Sequence, residues 1–340
     1  MVRAFIVLLA CCASVAEGDS FVAPSWLYPL SPPAPANPPP FDKVKPLHVA
    51  QSRVSYTRAQ LNDLYSAPDW FPDSRAPMPD VVARGRAPDV YACGFCHTPS
   101  GQGRPENASL AGLPAAYISR QVADMKSGAR RSAAPGPYRP SDFMIREAQH
   151  ASDADIAAAA NYFSRQHFSS HVHVVEQARV ARSRVVGWVY AAVAGAGAAG
   201  ADAGAGAGAS AGAGASDEPL GERLMEFAPD AERHELRDDN LVYTAYVPPG
   251  SMARGLLLAR GGGATVAAPC ITCHGDRLQG TAAIPRLAGR SPTYLLRQLV
   301  AFKGGARTGA NAALMRMVVA NLQIGDMIDV VAYAASLESP

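Results

Sequence analysis

Apolar positions along the 340-residue chain fall into two helical sets separated by a stretch with strand-like character. Ile118 to Lys126 and Leu295 to Lys303 carry apolar residues at helical spacing and stop at glycines. Ser152-Asp153-Ala154-Asp155 opens a further helix with an acidic first turn and with Ile156, Ala160 and Phe163 on its apolar face. A matching last helix is expected from about Gly325 to Leu337. Asp80 to Arg84 and Met252 to Arg260 form shorter helical runs ahead of the two sets. Thr57-Arg58-Ala59-Gln60 has the S/T-x-x-E/Q form of a helix start and predicts a short helix through Tyr65. Between the sets, Val172 to Val175, Val185 to Tyr190 and Leu241 to Val247 are rich in β-branched and aromatic residues and read as strands.

The two helical sets are copies of one unit. At a constant offset of 177 positions, Leu110-Ala111-Gly112 matches Leu287-Ala288-Gly289, and Tyr117 matches Tyr294. Arg120-Gln121 likewise matches Arg297-Gln298, Lys126 matches Lys303, and Gly128-Ala129-Arg130 matches Gly305-Ala306-Arg307. The offset then falls to 171 and pairs Met144 with Met315, Asp155 with Asp326 and Tyr162 with Tyr333. One domain has been duplicated, and the loop before the methionine differs by six residues between copies.

Composition changes this picture at three places. Ala191 to Ser216 is almost pure alanine and glycine and reads as a flexible insert. Pro29 to Pro46, with Pro38-Pro39-Pro40, favours extended, solvated chain. At the N-terminus, Met1-Val2-Arg3, the apolar Ala4 to Ala13 and the small Ser14-Val15-Ala16 read as a secretory signal peptide cut after Ala16, with Gly18 as the second choice. Two alternatives stay open there. Leu8-Leu9-Ala10-Cys11 loosely resembles a lipobox, which would lipidate Cys11. An uncleaved anchor would need an apolar run of about 18–20 residues, more than this segment has. No later segment reads as membrane-spanning, and a formal charge of +2 without a basic stripe argues against nucleic acid as a partner.

The chemistry lies in four of the six cysteines, in Cys93-Gly94-Phe95-Cys96-His97 and Cys270-Ile271-Thr272-Cys273-His274. CxxCH is the attachment motif of haem c: both thiols add across the vinyl groups and the adjacent imidazole becomes an iron ligand. One turn of chain puts the sulfurs near the two vinyls and the histidine under the iron. A thioredoxin-like dithiol would need a βαβ surround and leaves the histidines unexplained. A shared zinc would place its CxxC pairs about 15–20 residues apart, not a domain apart.

A haem with one histidine keeps an open position or takes a second protein ligand, and that choice separates catalyst from carrier. Met144 and Met315 coincide in the repeat, and each precedes the last helix of its copy by a similar distance. They are the expected sixth ligands, with Met317 as the rival in the second copy and ordinary core packing as the competing role. His150, His167, His171, His173 and His234 have no counterpart histidine in the other copy. The carbonyls of Ala108 and Pro285 are placed to accept from the second nitrogens of His97 and His274.

With these residues in place, the chain resembles the di-haem class I c-type cytochromes of the cytochrome c-four kind. The resemblance covers about residues 78–166 and 251–338. It rests on CxxCH, Leu-Ala-Gly, the runs Tyr117, Gln121, Lys126, Gly128, Arg130 and Tyr294, Gln298, Lys303, Gly305, Arg307, and the methionines. It implies a mainly α fold of two tandem class I cytochrome c helical domains, joined by a small β-containing linker region with an Ala/Gly-rich low-complexity insert. The expected divisions are a signal peptide at 1–16, a Pro-rich spacer at 17–55 and a first haem domain at 56–168. A linker region follows at 169–250, with the Ala/Gly run at 191–216, and then a second haem domain at 251–340. Two covalently attached haem c groups are expected, on Cys93, Cys96, Cys270 and Cys273, with His97, Met144, His274 and Met315 as axial iron ligands. The function implied is periplasmic electron transfer, with a redox protein donor and acceptor such as a membrane respiratory complex or a periplasmic dehydrogenase. Trp70 and Phe71, between Pro68 and Pro72, are expected to pack back onto the first haem domain as core aromatics. The alternatives are an electron-transfer subunit of a larger periplasmic oxidoreductase, with Trp70-Phe71 instead as part of a docking surface, and a di-haem peroxidase. The second copy departs from the family in starting its last helix with Gln323-Ile324-Gly325-Asp326. The long insertion sets the usual close haem-to-haem packing in question.

Overall fold

The computed structural model describes residues 21–33, 42–193, 217–263 and 265–338. The expected signal peptide and nearly all of the Ala/Gly run lie outside the described residues; Ala191 and Ala192 are the end of a strand. Two strands, β1 (Pro46–Leu47) and β2 (Tyr56–Thr57), pair antiparallel and lead into α1 (Arg58–Leu61). The Thr57/Gln60 capping box forms as expected, but the helix stops at Leu61 rather than Tyr65. The first helical unit follows with α2 (Asp80–Ala83), α3 (Cys93–His97), α4 (Ala115–Lys126), α5 (Arg139–His150) and α6 (Asp153–Ser164). Its core joins Val81 and Val82 to Leu113, Ile118, Ala160 and Phe163. Ser152 caps α6 by accepting from the Asp155 N–H at 3.1 Å.

The linker region forms a mixed sheet, as its strand-like runs predict. Its strands are β3 (Val172–Glu176), β4 (Arg179–Ala181), β5 (Ser183–Val186), β6 (Val189–Ala192), β7 (Asp217–Pro219) and β8 (Met225–Phe227). A short helix, α7 (Ala231–Glu235), precedes β9 (Tyr243–Val247). Five strands pair in the order β3-β9-β8-β6-β5, and β4 pairs with β7 apart from them. The run Val185 to Tyr190 is not one strand. Gly187 and Trp188 have φ of 49° and 70° and fold it into a tight hairpin. The continuous apolar run hid the turn, for which Gly187 was the only sign.

The second helical unit comprises α8 (Ser251–Ala259), α9 (Cys270–His274), α10 (Pro292–Lys303), α11 (Ala312–Val319) and α12 (Ile324–Ser336). Helix α8 lies along α12 so closely that a Cβ on Gly255 would collide with the Asp329 carbonyl. Arg254 ties the pair by donating to both Asp329 oxygens, at 2.6 and 2.9 Å. Gln323 and Asp326 cap α12 reciprocally, replacing the serine or threonine expected at that point. The sheet supplies two more caps. The Glu176 carboxylate accepts from the Gly250 and Met252 N–H groups at the start of α8, and Glu226 accepts from Ser291 and Thr293 at the start of α10.

The spacer docks at its two ends, outside the proline-rich Pro29 to Pro46: Ala23, Leu27 and Tyr28 are buried in the core of the second unit, and Val49 packs with Leu61 and Trp70. Aromatic and aliphatic residues there give enough apolar surface to dock. The two helical units are in direct contact. Arg131 N–H donates to Ala306 O at 2.8 Å, and Thr308 N–H donates to Ala129 O at 2.7 Å. Gln121 accepts from Arg130 at 3.0 Å and also from Arg307, and Gln298 accepts from Arg130 at 3.0 Å and from Arg307 at 3.1 Å. The repeat-matched residues therefore meet their own counterparts across an approximate two-fold axis, as in an isologous dimer.

Trp70 is 1% exposed, stands edge-on to Tyr56 and donates from Nε1 to Leu236 O at 2.8 Å. It joins the N-terminal segment to the linker region and is unavailable as a docking surface. Trp70→Ala is expected to cost about 3–5 kcal/mol in denaturant unfolding of the holoprotein. Trp70→Phe should lose only roughly 1–3 kcal/mol, chiefly the hydrogen bond.

Candidate haem sites

Each CxxCH segment makes one helical turn, α3 or α9, preceded by an extended residue and ended by a backbone conformation that side chains resist. Thr98 has φ 60° and ψ 152°, and its repeat match Gly275 has φ 85° and ψ 158°. That region is essentially reserved for glycine. The exit folds the chain back, so that the His97 and His274 carbonyls accept from the Gly103 and Gly280 N–H groups at 2.9 and 2.7 Å. The returning loop brings Ala108 O to 2.8 Å from His97 Nδ1 and Pro285 O to 2.9 Å from His274 Nδ1. With Nδ1–H donating to a carbonyl, each imidazole presents Nε2 as its free lone pair. Burial lowers both histidine pKa values, which favours the neutral ligand form.

Cys93, Cys96, His97 and Met144 line one mainly apolar cavity of about 510 Å³, within the size range of cofactor sites. Val81, Leu113, Ile118, Ile156 and Phe163 contribute to its walls. Met144 lies on α5 and Met315 on α11, helices that the sequence reading did not foresee. Met125 also lines the first cavity, from α4. In the second unit Cys270, Met315, Leu287 and Tyr294 pack on the same core cluster. His274 is buried, Cys273 is exposed, and Met317 is 59% exposed while Met315 is half-buried.

Burial pushes the Cys93 thiol up to about 12, and it also raises Cys96 and Cys270. A redox dithiol or a thiolate metal site needs the opposite shift. The second unit walls the first cavity with Tyr294, Arg297, Gln298 and Ala301. Arg297 donates to Leu27 O at 2.8 Å and Pro105 O at 3.0 Å, but its Nη2 has no hydrogen-bond partner. Arg130, Arg290, Arg297 and Arg307 are all under 10% exposed, and none forms an ion pair among the described residues. Buried guanidiniums without carboxylates call for an anion. A haem supplies two propionates, so cavity size, donor set and charge all fit it.

The sequence did not reveal a second buried cluster. Arg104 Nη2 lies 3.0 Å from Glu106 Oε1, and both line the first cavity. His234, 1% exposed, has Nδ1 at 3.0 Å from Tyr243 OH and Nε2 at 3.9 Å from Glu106. A histidine without a repeat counterpart was the only signal. Nearby, Arg75 joins Asp69 at 2.8 Å to Asp239 at 3.0 Å. His171 approaches Ser169 Oγ at 3.3 Å while His173 is exposed, and no cluster of metal-ligating side chains occurs among the described residues.

No protein-family model matches the chain. It is similar to cytochrome c-554(548) of Halomonas halodenitrificans, 44% identical over 70 residues, which is 20% of this chain and 84% of that protein. It is also similar to cytochrome c4 of Azotobacter vinelandii, 25% identical over 250 residues, covering 72% of this chain and 84% of that protein. Among solved structures, thiosulfate dehydrogenase TsdBA from Marichromatium purpuratum aligns with a TM-score of 0.47 and 23% identity, over 74% of this chain and 38% of that one. The chain belongs to the class I c-type cytochromes, in their di-haem tandem form, and carries two covalently attached haem c groups.

The strain at Thr98 gives an inverted mutational order. Thr98→Gly should be at least about 1 kcal/mol more stable than Thr98→Ala, because only glycine relieves the backbone. Elsewhere glycine is the worse residue by a similar amount. Thermal unfolding of both holoprotein variants measures this. Asp239 carries a pH dependence. Burial pushes its carboxyl up to about 6 against the pull of Arg75. A folded-state pKa above the unfolded one contributes stability that is full below about pH 4 and is lost as pH rises through about 6. Unfolding free energy should therefore fall by on the order of 3 kcal/mol across that window, and Asp239→Asn should flatten the slope.

Proposed function

We propose that the protein is a non-catalytic one-electron carrier with two haem domains, at about 56–168 and 251–340. In this reading Cys93 and Cys96 anchor one haem and Cys270 and Cys273 the other. His97 with Met144, and His274 with Met315, are the axial pairs. The bound haems supply ferrous–ferric couples. The chain's own residues fix the imidazoles through Ala108 and Pro285, exclude water with an apolar wall, and offset the haem carboxylates with Arg130 and Arg297. The observation that carries the reading is the convergence of Cys93, Cys96, His97 and Met144 on one cavity of haem size. A thioether ligand holds the iron low-spin and raises its potential above that of a bis-histidine site.

An axial methionine in each copy leaves no iron open to peroxide, which argues against a peroxidase. Burial of Trp70 removes one surface that had favoured an oxidoreductase subunit. The working location is the periplasm, on the strength of the expected export signal. The partners in this reading are a redox protein donor and acceptor, such as a membrane respiratory complex or a periplasmic dehydrogenase. No single described helix is long and apolar enough to cross a membrane.

Potentiometric titration with optical detection tests the ligand set. Met144→Ala and Met315→Ala should each remove about half of the long-wavelength methionine-to-ferric-iron band and lower the potential of one haem. Met317→Ala should change neither. Loss of band in Met317→Ala with none in Met315→Ala would reassign the second ligand.

A further inference from the structure

Several duplicated positions around the two CxxCH segments have diverged in exposure. Phe95 is 5% exposed and lies under the Arg237 guanidinium, 3.8 Å from its ring centroid; its match Thr272 is exposed. Cys96 is half-buried, whereas Cys273 is exposed. Tyr91 stands edge-on to Tyr65 at 5.3 Å and to Phe143 at 6.1 Å, and Arg146 covers its ring at 4.8 Å. The positions matching Tyr91, Phe143 and Arg146 are Ala268, Leu314 and Met317. Leu314 and Met317 are 67% and 59% exposed, share one face of α11 and flank Met315. The first crevice is thus covered by Tyr65, by Arg237 of the linker region and by its own aromatics. The second unit instead leaves the apolar Leu314 and Met317 on its surface.

Three arginines lie near the second CxxCH segment and Met315 along the chain. Arg260 ends α8 beside the turn at Gly261, where a Cβ would sit 2.8 Å from Pro269, the residue before Cys270. Arg277 follows His274 by three residues, and Arg316 follows Met315. All three arginines are exposed, against Asp276 as the exposed acid in the same loop. Arg277 is close enough to Arg286 to depress its pKa, after the larger effect of burial.

We propose that the second haem crevice is the docking face for an acidic redox protein, and that the first crevice is closed to protein partners. Exposed apolar residues together with exposed arginines suit a transient complex with an acidic partner. The inference rests on the carrier reading but fails separately from it, because the holoprotein's spectrum tests the carrier reading first.

The test mixes reduced holoprotein, already shown to hold two low-spin methionine-ligated haems, with oxidised plastocyanin as an acidic one-electron acceptor at low ionic strength. Arg260→Glu with Arg277→Glu should slow the second-order rate about tenfold or more. Leu314→Ser with Met317→Ser, at exposed positions that do not threaten folding, should slow it by about threefold or more. Arg84→Glu with Arg139→Glu, on the first unit, should leave it within about twofold. Equal slowing by the first-unit pair, or an unchanged rate in both second-unit pairs, would overturn the assignment.

Discussion

Buried positive charge organises this molecule. Arg130, Arg290, Arg297 and Arg307 lie between the two helical units with no carboxylate paired to them among the described residues. Removing a guanidinium from water costs several kcal/mol even after relaxation. The chain meets part of that cost with the Gln121 and Gln298 amides, the Tyr294 hydroxyl and the carbonyls of Leu27, Pro105, Ser109 and Ala111. Tyr294 responds in kind, its phenol pKa lowered by Arg130 and Arg307 although burial acts in the other direction. Arg130 and Arg297 also line the first cavity, where the carboxylates of a bound haem would add negative charge. Docking of the two units and loading of that cofactor would then be one electrostatic problem.

The additions to the duplicated unit act unequally on the two copies. To the second unit the sheet gives carboxylate caps, Glu176 on α8 and Glu226 on α10, and the N-terminal segment gives Leu27 and Tyr28 to its core. Around the first crevice they give cover: Tyr65, Trp188 and Arg237 close over it.

The helices were legible wherever a cap or a glycine marked them, as at Ser152 for α6 and at the glycines that end α4 and α10. The haem motifs were legible because their spacing is chemical, and the repeat extended that reading to Met144 and Met315. The methionine helices α5 and α11 were not seen. Pro140 near the start of one and the exposed Leu314 and Met317 of the other blur their periodicity, and tertiary contacts stabilise them. The repeat also recorded Gln121, Arg130, Gln298 and Arg307 without their reason. Identity between copies marks a shared role, but only the fold shows that role to be mutual contact. Burial of Trp70 between its flanking prolines was legible, but its partner Leu236 O, and the pairing of His234 with Glu106, lie more than a hundred residues away, and no local pattern carries that.

We propose that both irons are closed by protein ligands, so that the molecule carries electrons. Exposure of the fully reduced holoprotein to carbon monoxide, followed in the Soret band, tests it most directly. Two axial methionines predict a spectrum that stays that of two low-spin ferrous haems. A carbonyl complex forming promptly at one haem would mean an open iron, and would move the protein from carrier to catalyst or sensor.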